Sequence, residues 1–225
     1  MISVYVSELA IYPVKSLAQI SLKESRVDDF GLENDRRWMV VDEKGHFITQ
    51  RQQSRMCLIQ VKLIYVKSRL NAVQLSAIEM PSITVELPST KKSVLVTVWH
   101  DQCNAIDCGD AVADWLSEFL SVKCRLVYFT QDEIRQVDQT FAKPKDKTAF
   151  SDGFPFLLIS QASLDNLNNK LDVALPMKRF RPNIVVTGCD AFAEDNWKKI
   201  RIGDLVLRVV KPCSRCVIPN INTET

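Results

Sequence analysis

The sequence predicts a mainly β protein with a few helices, on a barrel or sandwich plan rather than a βαβ sheet. Three observations predict it. Short apolar or alternating runs recur along most of the chain, and turn residues separate them. Only two segments carry a helical period. The 225 residues, 46% hydrophobic and 25% charged, can bury one large core or two small ones.

Residues 2–12 alternate and read as the first strand, which Pro13 interrupts. Strand-type runs follow at 19–27, 37–42 and 46–51, with Glu43-Lys44-Gly45 as a hairpin turn between the last two. Runs at 57–65, 70–77, 82–87 and 93–99 continue the pattern, spaced by turns such as Pro81-Ser82 and Pro88-Ser89-Thr90. Residues 110–121 put Ala111, Val112, Trp115, Leu116, Phe119 and Leu120 on one helical stripe. A long polar loop is expected over 130–150, the kind of loop that is often functional or mobile. A second helix is expected at 161–170, with Ser160 as its N-cap. Strands at 154–159, 182–187 and 200–210 lead to Lys211-Pro-Cys-Ser-Arg-Cys216 and a polar tail ending at Thr225.

Composition narrows the function. Lys and Arg number 29 against 27 Asp and Glu, a net charge of +2, so nothing argues for a nucleic-acid polymer as partner. No apolar run approaches the ~20 residues of a membrane span. The N-terminus lacks the basic region and cleavage site of a secretory leader. Seven cysteines, an odd number, fit a reducing cytoplasm better than a disulfide framework. Cys57, Cys124 and Cys189 read as small buried hydrophobes, while Cys103 and Cys108 have no assigned role. The two histidines, His46 and His100, are far apart and outside any triad or zinc-helix pattern, so a cofactor or a cysteine is expected to carry any chemistry.

Five short segments hold chemistry-bearing residues. Cys213 and Cys216 form a lone CxxC, flanked by Lys211 and Arg215, whose charges favour a thiolate. That spacing is open to four readings: half of a zinc site, a redox pair, a soft-metal thiolate, or a plain strand-end turn. Arg179-Phe-Arg-Pro-Asn183 offers planar donors for a phosphate or carboxylate at the entry to a strand. Pro13-Val-Lys-Ser16 sets a cation and a hydroxyl in a turn. Asp35-Arg-Arg-Trp38 and Phe150-Ser-Asp-Gly-Phe-Pro155 complete the set. Each also occurs as ordinary surface structure.

Taken in order, these segments resemble the MOSC family, in the branch with an N-terminal MOSC β-barrel domain (bacterial YcbX-type and mitochondrial amidoxime-reducing component-like proteins). The matching stretches are Ile11-Tyr-Pro-Val-Lys-Ser16, Gly31-Leu with Asp35-Arg-Arg-Trp38, and Phe47-Ile-Thr-Gln-Arg-Gln52. Phe150-Ser-Asp-Gly-Phe-Pro155, Arg179-Phe-Arg-Pro-Asn-Ile-Val185, Trp197 with Ile200-Arg-Ile-Gly-Asp204, and Lys211-Pro-Cys-Ser-Arg-Cys216 follow. The resemblance implies a β-barrel-like domain over 1–125 and a MOSC β-barrel domain over 126–225, the latter expected to be incomplete at its C-terminus. Open strand edges, with dimerisation or aggregation, would follow from an unfinished barrel.

The resemblance also implies a molybdenum cofactor, a pterin dithiolene (molybdopterin), with Cys216 as the protein's sulfur ligand to molybdenum. Lys15, Ser16 and Arg36 match positions that contact the pterin or its phosphate. Asp152, Gly153 and Phe154 match a backbone-lined stretch, and Arg181, Asn183, Ser214 and Arg215 match further cofactor contacts. The implied activity is two-electron reduction of N-hydroxylated compounds, with electrons from a flavoprotein reductase or a ferredoxin-type protein. The chain's own cysteines do not form the pattern an iron–sulfur cluster needs. One departure stands out: Pro219-Asn220 occupies the place of the family's usual Thr-Thr pair. A sulfur-transfer module, or a non-catalytic fragment without stable cofactor, is the alternative expectation.

Overall fold

The computed structural model describes residues 3–89 and 92–224. Ile2, Thr90 and Thr225, expected in the first strand, a turn and the tail, lie outside the described residues. The first half holds β1 (Tyr5–Ile11), β2 (Ile20–Leu22), β3 (Val27–Asp28), β4 (Gly31–Leu32) and β5 (Trp38–Val41). It continues with β6 (Gln60–Val66), β7 (Arg69–Ser76), β8 (Ile83–Glu86), β9 (Ser93–Val98) and β10 (Asp101–Asp107). Then come α1 (Asp110–Leu120), β11 (Arg125–Tyr128), β12 (Leu158–Ser160), α2 (Gln161–Asn168) and β13 (Ile184–Thr187). A hairpin of β14 (Lys199–Ile202) and β15 (Leu205–Arg208) precedes the CxxC turn. Among the described residues no helix is long and apolar enough to cross a membrane.

The protein is mainly β, as expected. One four-stranded sheet runs β12-β13-β1-β2 and a second runs β5-β11-β10-β9, with a three-stranded β6-β7-β8 sheet beside them. In β5 all four residues, Trp-Met-Val-Val, are buried. The reason is that β5 and β11 lie between two clusters. Trp38, Val40 and Leu126 pack with Met56, Val73, Leu75, Leu116 and Phe119 on one face, and Met39, Val41 and Val127 pack with Phe30, Phe129 and Phe150 on the other. A strand covered on both faces is a continuous apolar run, not an alternating one. A third cluster joins Ile159, Leu164, Met177 and Val185.

The two helices form where the periodicity puts them. In α1, Val112, Trp115, Leu116, Phe119 and Leu120 are buried, but Ala113 takes the place on the inner face expected for Ala111. α2 ends two residues earlier than expected, and the Ser160 hydroxyl accepts from the Ser163 N–H at 3.1 Å as its N-cap. Replacing Ser160 with alanine is expected to cost about 1 kcal/mol. Urea unfolding checks this: the midpoint should fall while the slope stays unchanged.

Several strand boundaries differ from the sequence pattern. Segment 46–51 makes only isolated bridges, Phe47 to Val41 and His46 to Thr97, because Thr49 and Gln50 turn inward and bury their polar groups. The Gln50 amide donates to the Ser16 carbonyl at 2.7 Å, which closes this segment over the Lys15 turn. The turn before it needs Gly45, at φ +80°, since a Cβ there would lie 2.6 Å from the Leu95 carbonyl. The 19–27 and 154–159 runs shorten to three-residue strands, and 200–210 divides into a hairpin around Gly203. β10 (Asp-Gln-Cys-Asn-Ala-Ile-Asp) was not expected, because its solvent-side residues are polar. β12, α2 and β13 form a parallel βαβ unit, whereas the other ladders between named strands are antiparallel.

The antiparallel pairing of β1 with β13 positions the site. It sets the residues that follow β1 against the Arg181-Pro182-Asn183 entry to β13. The Asn183 carbonyl accepts from the Ala10 N–H, and the Asn183 side-chain amide donates to the Ala10 carbonyl.

Candidate active site

The chain leaves β1 through a buried turn, Tyr12 to Leu17. The Lys15 N–H donates to the Trp38 carbonyl at 2.8 Å, and Ser16 takes a left-handed φ of 69°. Lys15 is thereby sealed in. Its ammonium donates to the Phe150 carbonyl at 2.8 Å and to Asp152 Oδ1 at 2.5 Å. Burial pushes the Lys15 ammonium down to about 8, although the Asp152 charge pulls the other way. Asp152 itself is partly covered, which alone would raise its pKa. Attraction to Lys15 and hydrogen bonds from Lys15 and Trp99 outweigh that, and hold the carboxyl well below its usual range. The polar 130–150 loop supplies the brace: the buried Arg135 guanidinium donates to the carbonyls of Ala149, Ser151 and Asp152.

A second group gathers around Tyr12. The Arg36 and Arg181 guanidiniums lie 4.6 and 4.1 Å from the centre of its ring. Arg36 pairs with the buried carboxylate of Asp35 and donates to Asn183 Oδ1 at 3.1 Å. Arg181 donates one N–H to the Leu17 carbonyl at 2.9 Å, but its Nη2 is buried with no partner among the described residues. The same holds for Nε of neighbouring Arg179. Burial lowers the Arg181 guanidinium to about 10, and burial raises the Tyr12 phenol to about 12.

The third group is the CxxC turn. Cys213 and Cys216 are exposed and free. Cys216 Sγ accepts from Arg51 Nη2 at 3.4 Å. Partial burial would raise this thiol, but the Ile218 N–H and Arg51 outweigh it, so the net shift is downward, toward thiolate. The Arg51 guanidinium lies 4.7 Å from the Trp99 ring, and the Trp99 indole N–H donates to Asp152 Oδ1 at 3.1 Å. A continuous chain of contacts thus runs from Cys216 through Arg51, Trp99 and Asp152 to Lys15.

The structure therefore brings Lys15, Asp152 and Cys216 into one network, and Arg36, Arg181 and Asn183 into another. Ser16 contributes a carbonyl to Gln50. A Cβ on Gly153 would meet nothing within 4 Å, so neither a close neighbour nor a left-handed φ within the chain requires glycine there. Phe154 turns to Phe141 and Lys211, Arg215 sits 5.6 Å from the Phe180 ring, and the Ser214 carbonyl faces the Cys213 thiol. Cys103 and Cys108 are raised by burial to about 11 and about 12, as packing thiols would be. Cys57 and Cys124 are buried, whereas Cys189 is only partly covered. Among the described residues, no group of three or more His, Cys, Asp or Glu could hold a metal, so Cys213 and Cys216 lack the partners of a zinc site.

Sequence reasoning missed Tyr12, Arg51, Trp99 and Arg135 as site residues. Arg51 and Tyr12 stand inside family-like stretches, so a signal existed. Trp99 and Arg135 carried none, because a turn tryptophan and a loop arginine are commonplace.

The arrangement sets covered cations near an exposed thiol whose pKa is shifted downward, and known proteins are similar to this chain in sequence. A model of the MOSC N-terminal beta barrel domain matches residues 3–123, and a MOSC domain model matches residues 145–225. Mitochondrial amidoxime-reducing component 1 of Mus musculus is 35% identical over 229 residues, covering 98% of this chain and 66% of that protein. Its Homo sapiens counterpart is 36% identical over 230 residues, covering 98% of this chain and 67% of that protein. Mitochondrial amidoxime reducing component 2 of Rattus norvegicus is 37% identical with the same coverage. The chain spans about two thirds of the length of these relatives. With both domain models matched in order and relatives similar across nearly all its residues, this chain belongs to the MOSC family, in the branch that carries the N-terminal barrel domain.

Proposed function

We propose that this protein reduces N-hydroxylated compounds, of amidoxime, hydroxylamine or N-hydroxylated base type, using a molybdenum cofactor. One observation carries the reading. Lys15, Arg36 and Arg181 are three covered cations; among the described residues Lys15 pairs with Asp152, Arg36 with Asp35, and Arg181 Nη2 has no acceptor. A buried unsatisfied donor costs about 1–3 kcal/mol, so such a cluster suits an anionic ligand. A pterin phosphate has that charge, and planar guanidiniums match it.

In this reading Lys15, Ser16, Arg36, Arg181 and Asn183 hold the phosphate and pterin. Asp152, Gly153 and Phe154 line it, and Ser214, Arg215 and Cys216 meet it at the metal end. Cys216 is the ligand to molybdenum, a soft donor for a metal bound largely by sulfur. Bound there, the cofactor supplies the two-electron redox capacity that N–O reduction needs. The chain's own groups do the rest. Arg51 holds the Cys216 sulfur by an N–H, and the Lys15 ion pair keeps Asp152 ionised beside it. Electrons come from a flavoprotein reductase or a ferredoxin-type protein. Seven free cysteines, two of them exposed, suit a reducing compartment, and the cytoplasm is the one proposed.

The test is elemental analysis of protein purified from a host that makes the cofactor. Close to one molybdenum per chain is expected. Protein free of molybdenum would overturn the reading.

A further inference from the structure

Tyr12 stands between the two arginine turns and touches both in more than one way. Its N–H donates to Asp35 Oδ1 at 2.7 Å, and its carbonyl accepts from the Arg36 N–H at 2.9 Å. Its hydroxyl lies 3.2 Å from the carbonyl of Pro182, the residue after Arg181, and 3.1 Å from Gln19 Oε1. Its ring carries both guanidiniums, at 4.6 and 4.1 Å. Both arginines also hold left-handed backbones, φ 50° for Arg36 and 58° for Arg181. Residues without glycine's freedom keep that conformation only where the surroundings over-determine it. Two adjacent buried guanidiniums repel; Asp35 offsets part of this through Arg36, and the negative face of an aromatic ring can offset more without consuming further N–H donors.

We propose that Tyr12 is the positioning residue of the anion site: its ring holds Arg36 and Arg181 together, so that the Arg181 Nη2 donor is in place before an anion arrives. A second carboxylate in its position, added to Asp35, would use up the Arg181 Nη2 donor, whereas an aliphatic side chain would let the two arginines part. The ring does neither. The inference rests on the reading of this arginine cluster as an anion site, and not on the identity of the cofactor.

The probe is inorganic phosphate, titrated calorimetrically into cofactor-free protein. The parent and Tyr12→Phe are expected to bind phosphate with affinities within about threefold of one another, since both keep the ring face. Tyr12→Leu should lose about tenfold or more, with its urea midpoint recorded beside it. Should Tyr12→Leu not fold, fluorinated phenylalanines at position 12 keep the ring's shape while weakening its negative face. Phosphate affinity should then fall stepwise with fluorine number. Full affinity in Tyr12→Leu, a loss in Tyr12→Phe equal to that in Tyr12→Leu, an affinity indifferent to fluorination, or no phosphate binding by the parent would each overturn the proposal. Phosphate is read without molybdenum. A chain that binds phosphate through Tyr12 but never loads metal keeps this inference and loses the proposed function.

Discussion

Cys216→Ala is expected to abolish reduction of N-hydroxylated substrates and to strip molybdenum from the protein, while Cys213→Ala leaves both within a few-fold. The two cysteines are three residues apart and both are exposed, so composition does not separate them. Their surroundings do. Cys216 Sγ receives an N–H from Arg51, and its pKa is shifted downward by the Ile218 backbone N–H and by that contact. The Cys213 thiol instead donates to the carbonyl of the next residue, Ser214, at 3.7 Å. Removing partners of a metal's ligands commonly costs 10–100-fold in affinity or activity, so loss of the ligand itself should exceed ~100-fold. The check is molybdenum content and turnover measured on the same preparations. Wild-type values for both in Cys216→Ala would sink the assignment.

Asp35→Ala is expected to destabilise the fold by about 3–5 kcal/mol, the usual cost of leaving one member of a buried ion pair alone. The Asp35 side chain is 2% exposed and that of Arg36 13%. One carboxylate oxygen accepts the Tyr12 N–H and the other pairs with Arg36. Alanine would therefore orphan a backbone donor and a guanidinium together. Asp35→Asn keeps an acceptor for the Tyr12 N–H and should fall between alanine and the parent. The double change Asp35→Leu with Arg36→Met removes both charges and should recover part of the loss, because a well-packed apolar pair often replaces a buried ion pair without penalty. Urea unfolding of the four proteins decides it. A midpoint for Asp35→Ala equal to the parent's would show that the pair contributes nothing to stability.

Much of this protein is legible locally. The Trp-Met-Val-Val run of β5 announces a strand covered on both faces, and the α1 stripe announces a helix with one buried side. Ser160 marks the start of α2 by its side-chain chemistry alone. In each case the signal lies within one element, where residue spacing and backbone period meet. β10 was illegible because its outward positions are polar, and segment 46–51 misled because buried Thr49 and Gln50 are held by hydrogen bonds, not by a ladder. The parallel β12–β13 pair was hidden because two short strands say nothing of their relative direction.

The sequence by itself determined the β-rich plan, both helices and the kinds of residue available for the site: arginines, a lysine, an aspartate and a CxxC turn. Only the tertiary structure decided which of them meet. Lys15 reaches Asp152 across 137 residues, and Arg51 reaches Cys216 across 165. The pairing of β1 with β13 brings Tyr12 to the Arg181 turn. Such meetings depend on strand register and loop closure over long separations. Local periodicity carries no record of either, so Trp99 and Arg135 gained their meaning only once the chain was folded.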